Sequence, residues 1–219
     1  YNHMMSTVNM DNIVPGYYFR SDYLGRYTNG SGCGNELASE RPMVRKFIID
    51  SCLHWIKDYK IDGIRFDLME LLDIDTTKEI VKKTTKLDKN FLIYGEPWKG
   101  GSSPLVNGTY KGSQKNENFS IFNDTFRDAI RGNNHPSSGF INGNQYSSIC
   151  NWSIIEGLKG SIYTITSNTN ESINYVDAHD NYTLWHQVEK IQNQSIKFGE
   201  FRFNIPDYPL NSNLVKQDL

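Results

Sequence analysis

Short apolar runs alternate along the chain with longer stretches of helical period. Residues 61–68 (Ile61-Asp62-Gly63-Ile64-Arg65-Phe66-Asp67-Leu68) form one such run. Ile61, Ile64, Phe66 and Leu68 supply the bulk of a buried strand, and Gly63 permits close packing. Phe91-Leu92-Ile93-Tyr94-Gly95 predicts a second strand. It must stop at Glu96-Pro97, because proline has no N–H to give to a ladder. Residues 119–122 and 172–176 predict a third and a fourth. Ahead of the first strand, Val44, Phe47, Ile48, Cys52, Trp55, Ile56 and Tyr59 recur at three- and four-residue steps and predict one buried helical stripe. Ser39 is placed to cap that helix, and Pro42 suits its first turn. Asp75-Thr76-Thr77 opens a second helix, with Ile80 and Val81 turned inward. Asn123 or Asp124 caps a third that runs through Ile130. Residues 149–165 are helical in part, and residues 183–191 form a further helix. Trp55 and Trp185, both on helices, are expected in the core.

The recurring order is strand, loop, helix, with charged groups just after the strand. That order predicts a parallel α/β sheet whose functional groups gather at the strand C-termini. About four strands can be read, and a full (β/α)8 barrel takes roughly 250 residues. The predicted fold is an α/β, (β/α)8 TIM-barrel catalytic domain, incomplete, with about the third to seventh strands. In this division residues 1–219 are a partial barrel. Residues 1–41 are a long loop after the third strand, residues 42–192 are successive strand-helix units, and residues 193–219 are a polar tail. The 1–34 stretch is rich in Asn, Gly and Ser, but its tyrosines and phenylalanine argue against disorder.

Composition narrows the function classes. The 219 residues carry a net charge of −2, with Lys and Arg scattered, so nothing draws the chain to nucleic acid. No apolar run reaches the roughly 18 residues of a membrane span. Cys33, Cys52 and Cys150 are too far apart for a metal or disulfide framework. His54, His135 and His186 have no partner at metal spacing, and no metal site is expected. Thirteen tyrosines suit flat, hydroxyl-bearing ligands such as sugars, although tyrosine also packs ordinary cores.

Arg65 and Asp67 stand two apart in an extended strand, so both side chains leave on one face. A guanidinium beside a carboxylate offsets the cost of desolvating it. On this strand alone, a structural ion pair accounts for the same pattern. Three acids end three of the strands: Asp67, Glu96 and Asp180. Glycosidic cleavage needs two carboxyl groups with different proton affinities, one to attack or stay ionised and one to donate a proton. Arg65 would keep Asp67 ionised. Tyr94, Pro97 and Trp98 around Glu96 would push its carboxyl upward, so that it starts as an acid.

These segments resemble the signature regions of the α-amylase superfamily. Asp62-Gly63-Ile64-Arg65-Phe66-Asp67-Leu68-Met69 is similar to the second region, Tyr94-Gly95-Glu96-Pro97-Trp98 to the third and Tyr175-Val176-Asp177-Ala178-His179-Asp180-Asn181 to the fourth. Tyr1-Asn2-His3 is similar to the end of the first. Within the superfamily the chain resembles type I pullulanases, which debranch starch, from residue 1 to about Val188. Val14-Pro15-Gly16-Tyr17-Tyr18, Tyr27-Thr28-Asn29-Gly30-Ser31-Gly32-Cys33-Gly34-Asn35 and Ser39-Glu40-Arg41-Pro42-Met43-Val44-Arg45-Lys46-Phe47 carry that closer likeness, with Phe122-Asn123-Asp124 and Phe126-Arg127-Asp128-Ala129-Ile130-Arg131-Gly132 adding to it.

The resemblance implies a glycosidase that acts with retention on α-1,6 branch points of pullulan, amylopectin or limit dextrins. Asp67 would be the nucleophile, Glu96 the general acid/base, and Asp180 the residue that holds the distorted sugar ring. Arg65 would orient Asp67, His3 and His179 would hydrogen-bond the same sugar, and Trp98 and Asn181 would line the cleft. No cofactor is required on this reading, while calcium is allowed for, with Asn2 as a candidate ligand by analogy. The partner is an α-glucan, with no nucleic acid and no membrane span, and secreted and cytoplasmic locations both stay open. Glu70 and Asp177 depart from the family pattern at the rim of the site. Two other readings stand beside this one: a superfamily member that hydrolyses α-1,4 bonds or transfers glucans, and an inactive glucan-binding fragment.

Overall fold

The computed structural model describes residues 9–133 and 137–197, with side chains described from residue 10 and as far as residue 191. A short helix α1 (Asn9–Ile13) interrupts the stretch expected to be loop. Helix α2 (Pro42–Tyr59) leads into strand β1 (Gly63–Phe66). Helix α3 (Ile74–Thr84), strand β2 (Leu92–Gly95), strand β3 (Ser120–Phe122) and helix α4 (Asp124–Arg131) follow. Helix α5 (Ser148–Leu158), strand β4 (Ser172–Ile173) and helix α6 (Leu184–Lys197) complete the order. The four strands form one parallel sheet in the order β1-β2-β3-β4, each joined to the next through at least one helix except at β2–β3, where a loop crosses. This is the arrangement expected of part of a (β/α)8 barrel.

Register assigns the two faces of the sheet. Ile64 pairs with Ile93, Phe66 with Gly95, and Gly95 with Ile121. Partners in a ladder point to the same side, and on this side Ile93 and Ile121 join Val44, Ile48, Cys52 and Ile56 of α2 and Ile80 and Val81 of α3 in one apolar core. Arg65 pairs with Tyr94, Tyr94 with Ser120, and Phe122 with Ile173. This second face carries the polar and aromatic groups. Two glycines let the strands and the turn after β1 come close. A Cβ at Gly63 would meet the Leu92 carbonyl at 2.7 Å, and one at Gly95 would meet the Phe66 carbonyl and Met69 Sδ, each at 2.7 Å.

Several local expectations are corrected. The buried stripe of α2 is narrower than its run of apolar residues: Phe47, Trp55 and Tyr59 are exposed. Phe47 lies off the Val44–Ile48–Cys52–Ile56 line, while Trp55 and Tyr59, in the last turns of α2, pack on each other, ring centroids 4.5 Å apart. Trp185 is likewise exposed, not core. Ser39 does not cap α2, whose N-cap is Arg41 without a side-chain bond. Its hydroxyl instead accepts from the Asp73 N–H and an Arg20 nitrogen. Helix α3, expected to open at Asp75-Thr76-Thr77, begins at Ile74 with Asp73 as its cap, which accepts from the Thr76 N–H. Asn123 caps α4 through the Phe126 N–H. The last helix begins at Leu184 and extends past residue 191.

The 16–40 segment has little regular structure but a buried ionic anchor. The Glu36 carboxylate, fully buried, accepts from Arg20 Nη1 at 3.0 Å, from Ser103 Oγ at 2.7 Å and from Thr28 Oγ1 at 2.5 Å. Arg20 also pairs with Glu40 and donates to the Leu71 carbonyl. Backbone bonds from the Gly100 and Gly101 amides to the Gly30 carbonyl fasten the loop after β2 to this segment.

Candidate active site

The site grows from the strand ends on the polar face. Arg65 leaves β1 with its guanidinium between two acids: Nη1 lies 2.5 Å from Asp67 Oδ1, and Nη2 lies 2.6 Å from Glu96 Oε1. The i,i+2 spacing supplies the first contact and the β1–β2 register the second. The chain then turns sharply at Leu68, whose φ of 45° is left-handed. A leucine rarely adopts that conformation. Here it aims the Leu68 N–H at Glu96 Oε2, 2.9 Å away. Glu96 is thus held by one charged and one backbone donor while its residue is 4% exposed.

The two acids differ in surroundings. Burial pushes the Glu96 carboxyl above its ordinary range. The Leu68 N–H and the Arg65 charge pull the other way, but the nearby Asp67 carboxyl adds to the rise. The Asp67 side chain is 37% exposed, in reach of solvent or a ligand. One guanidinium therefore joins an accessible carboxylate to a buried carboxyl whose proton affinity is raised.

Beside Glu96 lies a cavity of about 250 Å³. Trp98, Asp180 and Asn181 line it with Glu96, which brings together four of the residues singled out in the sequence. Asp67 and Arg65 stand at the strand end next to it. His179 is mostly exposed, with Nε2 3.5 Å from Asp180 Oδ1. His3 and Asn2 lie outside the described residues, as does His135. Asp124, Arg127 and Arg131 of α4 and Tyr175 complete the far wall of the cavity. None of these four was assigned to the site from the sequence. The available signal was the spacing of Arg127 and Arg131, one helical turn apart just after a strand C-terminus.

Aromatic rings tie the walls together. Phe122 meets Tyr94 edge-on at 5.3 Å and Tyr175 at 4.7 Å between centroids. Arg127 Nη1 donates to the Tyr175 hydroxyl at 2.7 Å. Among the described residues no group of three or more His, Cys, Asp or Glu side chains is placed to hold a metal ion, and Cys33, Cys52 and Cys150 are all free thiols. No described helix is long and apolar enough to cross a membrane.

No family model matches the chain. It is 38% identical over 200 residues to the pullulanase of Bacillus subtilis (strain 168), covering 86% of this chain and 27% of that protein. The solved structure of the pullulanase from Bacillus acidopullulyticus superimposes with a TM-score of 0.82 at 42% identity, over 88% of this chain and 24% of that one. The Anoxybacillus sp. LM18-11 pullulanase, solved with maltotriose, matches with a TM-score of 0.75 at 38% identity, over 84% of this chain and 26% of its own. The chain spans about a quarter of the length of these relatives, and its four-stranded sheet is an incomplete stretch of their α/β barrel. Over the part of these proteins that it spans, the chain is similar to pullulanases in both sequence and fold.

Proposed function

We propose that the enzyme containing this chain hydrolyses α-1,6 branch linkages in pullulan, amylopectin or limit dextrins, with retention at the anomeric carbon. The observation that carries the reading is the Arg65 guanidinium bonded at once to Asp67 and to Glu96. Two carboxyl groups held by one planar cation are close neighbours, which supports the retaining route, with its separation of roughly 5 Å, over the wider gap that admits a water between acid and base.

In the first step the Asp67 carboxylate bonds to the anomeric carbon as the glycosidic C–O bond breaks. Glu96 passes its proton to the departing oxygen. In the second, the Glu96 carboxylate takes a proton from water, the water oxygen bonds to the anomeric carbon, and Asp67 is released. Arg65 keeps Asp67 oriented and charged in the ground state. The raised proton affinity of Glu96 suits it to start as an acid. Asp180 holds the hydroxyls of the distorted ring, and His3 and His179 bond to the same sugar, contacts that help most when they tighten in the transition state. Trp98 and Asn181 line the cleft. The maltotriose in the Anoxybacillus relative supports an α-glucan as partner. No step of this proposed mechanism uses a cofactor, and calcium enters none.

The test is the full-length enzyme with Glu96→Gln or Asp67→Asn, assayed on pullulan and on amylose. Glu96→Gln should lower kcat by about 10²–10⁴, the usual worth of a positioned proton donor, and Asp67→Asn by more. Pullulan turnover at the unmodified rate in either variant would refute the assignment. A wild-type preference for amylose over pullulan would move the substrate to α-1,4 bonds.

A further inference from the structure

Arg65 is placed in contact with both acids, but nothing in β1 alone fixes its guanidinium plane. That plane is covered from across the sheet's polar face. The Arg65 Cζ lies 5.7 Å from the centroid of Phe122, a distance at which a ring attracts a cation. Phe122 comes from the end of β3, two strands away, and reaches across the Tyr94 position of β2. Behind it stands Tyr175, just past β4. Arg127 of α4 closes the row: it bonds to the Tyr175 hydroxyl, lies with Cζ 5.5 Å from the Tyr175 centroid, and is itself held by Asp128 at 2.7 Å. Cation, ring, ring and cation therefore run across three strand ends and finish on the guanidinium that joins the acids.

We propose that this row, Arg127–Tyr175–Phe122–Arg65, sets the orientation of Arg65 and so the relative placement of Asp67 and Glu96, with Phe122 and Tyr175 as positioning residues. The inference rests on the catalytic reading of Asp67 and Glu96 given above. Phe122 and Tyr175 are not part of the apolar core between sheet and helices. They pack on the polar face, where a ring only filling space would have no need of a cation on either end. Burial pushes the Tyr175 phenol up to about 12, with Arg127 opposing, so it stays a neutral acceptor for the Arg127 N–H at any working pH.

The charged groups facing Glu96 are Arg65 from β1 and Asp67 just after it and, across the cavity, Asp124, Arg127 and Arg131 from α4 and Asp180 after β4. Of these, Arg65 is the cation bonded to the Glu96 carboxylate, and it lowers the Glu96 pKa while the Asp67 carboxyl raises it. A loosened guanidinium would lower the Glu96 pKa less, so Glu96 would hold its proton to higher pH.

The experiment compares Phe122→Leu, Phe122→Tyr, Tyr175→Phe and Glu96→Gln in the full-length enzyme, reading kcat, KM and the pH profile of kcat/KM on pullulan. Phe122→Leu should lower kcat by roughly ten- to a hundredfold, the loss expected from a displacement near 1 Å at reacting groups. KM should change little, and the alkaline limb of kcat/KM should move to higher pH. Tyr175→Phe should act in the same direction with smaller amplitude, and Phe122→Tyr, which keeps the ring, should restore most of the rate and the limb. An unmoved alkaline limb in both Phe122→Leu and Tyr175→Phe overturns the proposal, whether or not the rate falls. If Phe122→Leu fails to fold, Tyr175→Phe, which deletes one oxygen, decides alone. Full activity in Glu96→Gln would instead overturn the catalytic reading, a failure distinct from that of the row.

Discussion

Replacing Glu36 by Gln keeps the side chain's size and removes its charge. The carboxylate is fully buried and accepts three hydrogen bonds, from Arg20, Thr28 and Ser103. Hydrogen bonds to a charged group are worth about 1.5–3 kcal/mol each against about 1 for neutral ones, so losing the charge alone weakens the set by a few kcal/mol. The amide NH2 must also face one of three donors. The Thr28 and Ser103 hydroxyls can rotate to accept from it, which recovers one bond. Arg20 keeps Glu40 as a counter-ion, but the Glu40 side chain is 42% exposed and gives a screened, weaker pairing. The balance is about 3 kcal/mol, in line with the 3–5 kcal/mol cost of breaking a buried pair outright. This anchor joins the 16–40 segment to the loop after Trp98, so the loss should appear there as local opening. Native-state hydrogen exchange at the Gly100 and Gly101 amides, both bonded to the Gly30 carbonyl, reads it directly. These amides should exchange about 150-fold faster in Glu36→Gln, since 1.36 kcal/mol is tenfold. The Glu96 amide, bonded to the Phe66 carbonyl, serves as the unchanged reference. Less than fivefold acceleration at both glycines would show that the carboxylate does not hold the two loops together.

Two further outcomes follow from the same reasoning. Asp73 caps α3 and pairs with Arg45 at 2.8 Å; burial raises its carboxyl, but bonds from Thr76 and Ser39 and the Arg45 charge outweigh this and hold it below the ordinary value. A depressed carboxyl stabilises above its unfolded pKa, so the contribution is present at neutral pH and is lost as pH falls through the lowered folded value; Asp73→Ala should cost about 1–2 kcal/mol in a denaturant titration at pH 7 and progressively less as the titration is repeated at lower pH. Gly157 of α5 faces α4, and a Cβ there would sit 2.2 Å from the Phe126 ring; Gly157→Ala should destabilise by about 1–3 kcal/mol through overpacking, and a melting temperature equal to wild type would show that Phe126 yields freely.

Much of the sheet was legible because strands announce themselves by short-range features. The apolar runs before Glu96 and Asp67, and the stop at Pro97, depend only on neighbours in sequence. So does the Arg65–Asp67 contact, a consequence of period-two alternation. The Arg65–Glu96 contact was not legible, since it needs the β1–β2 register, which sequence patterning does not state. The same holds for Phe122 over Arg65, two strands away, and for Arg127 and Arg131, whose place in the cavity wall depends on how α4 is rotated against the sheet. Phe47, Trp55 and Tyr59 misled for a related reason: helical period marks a face, but which residues along it are covered depends on what packs there. Asp180 and His179 could be named from a resemblance, yet their exposure follows from their position beyond a two-residue strand.

The dependence on register has a consequence for how this site is built. Arg65, Tyr94 and Phe122 lie on one face because their strands are aligned so that Arg65 meets Tyr94 and Tyr94 meets Ser120. A slip of one residue between β1 and β2 would set Arg65 beside Ile93, on the side where α2 and α3 pack, and bury a guanidinium among Val44, Ile48 and Ile80. An unpaired charge in such a place costs several kcal/mol at least, while Ile64 and Phe66 would turn to the polar face. The apolar core and the acid pair therefore select the same alignment. Packing on one side of the sheet positions the chemistry on the other, so that the residues which make the fold stable are also the ones that bring Glu96 within reach of Arg65.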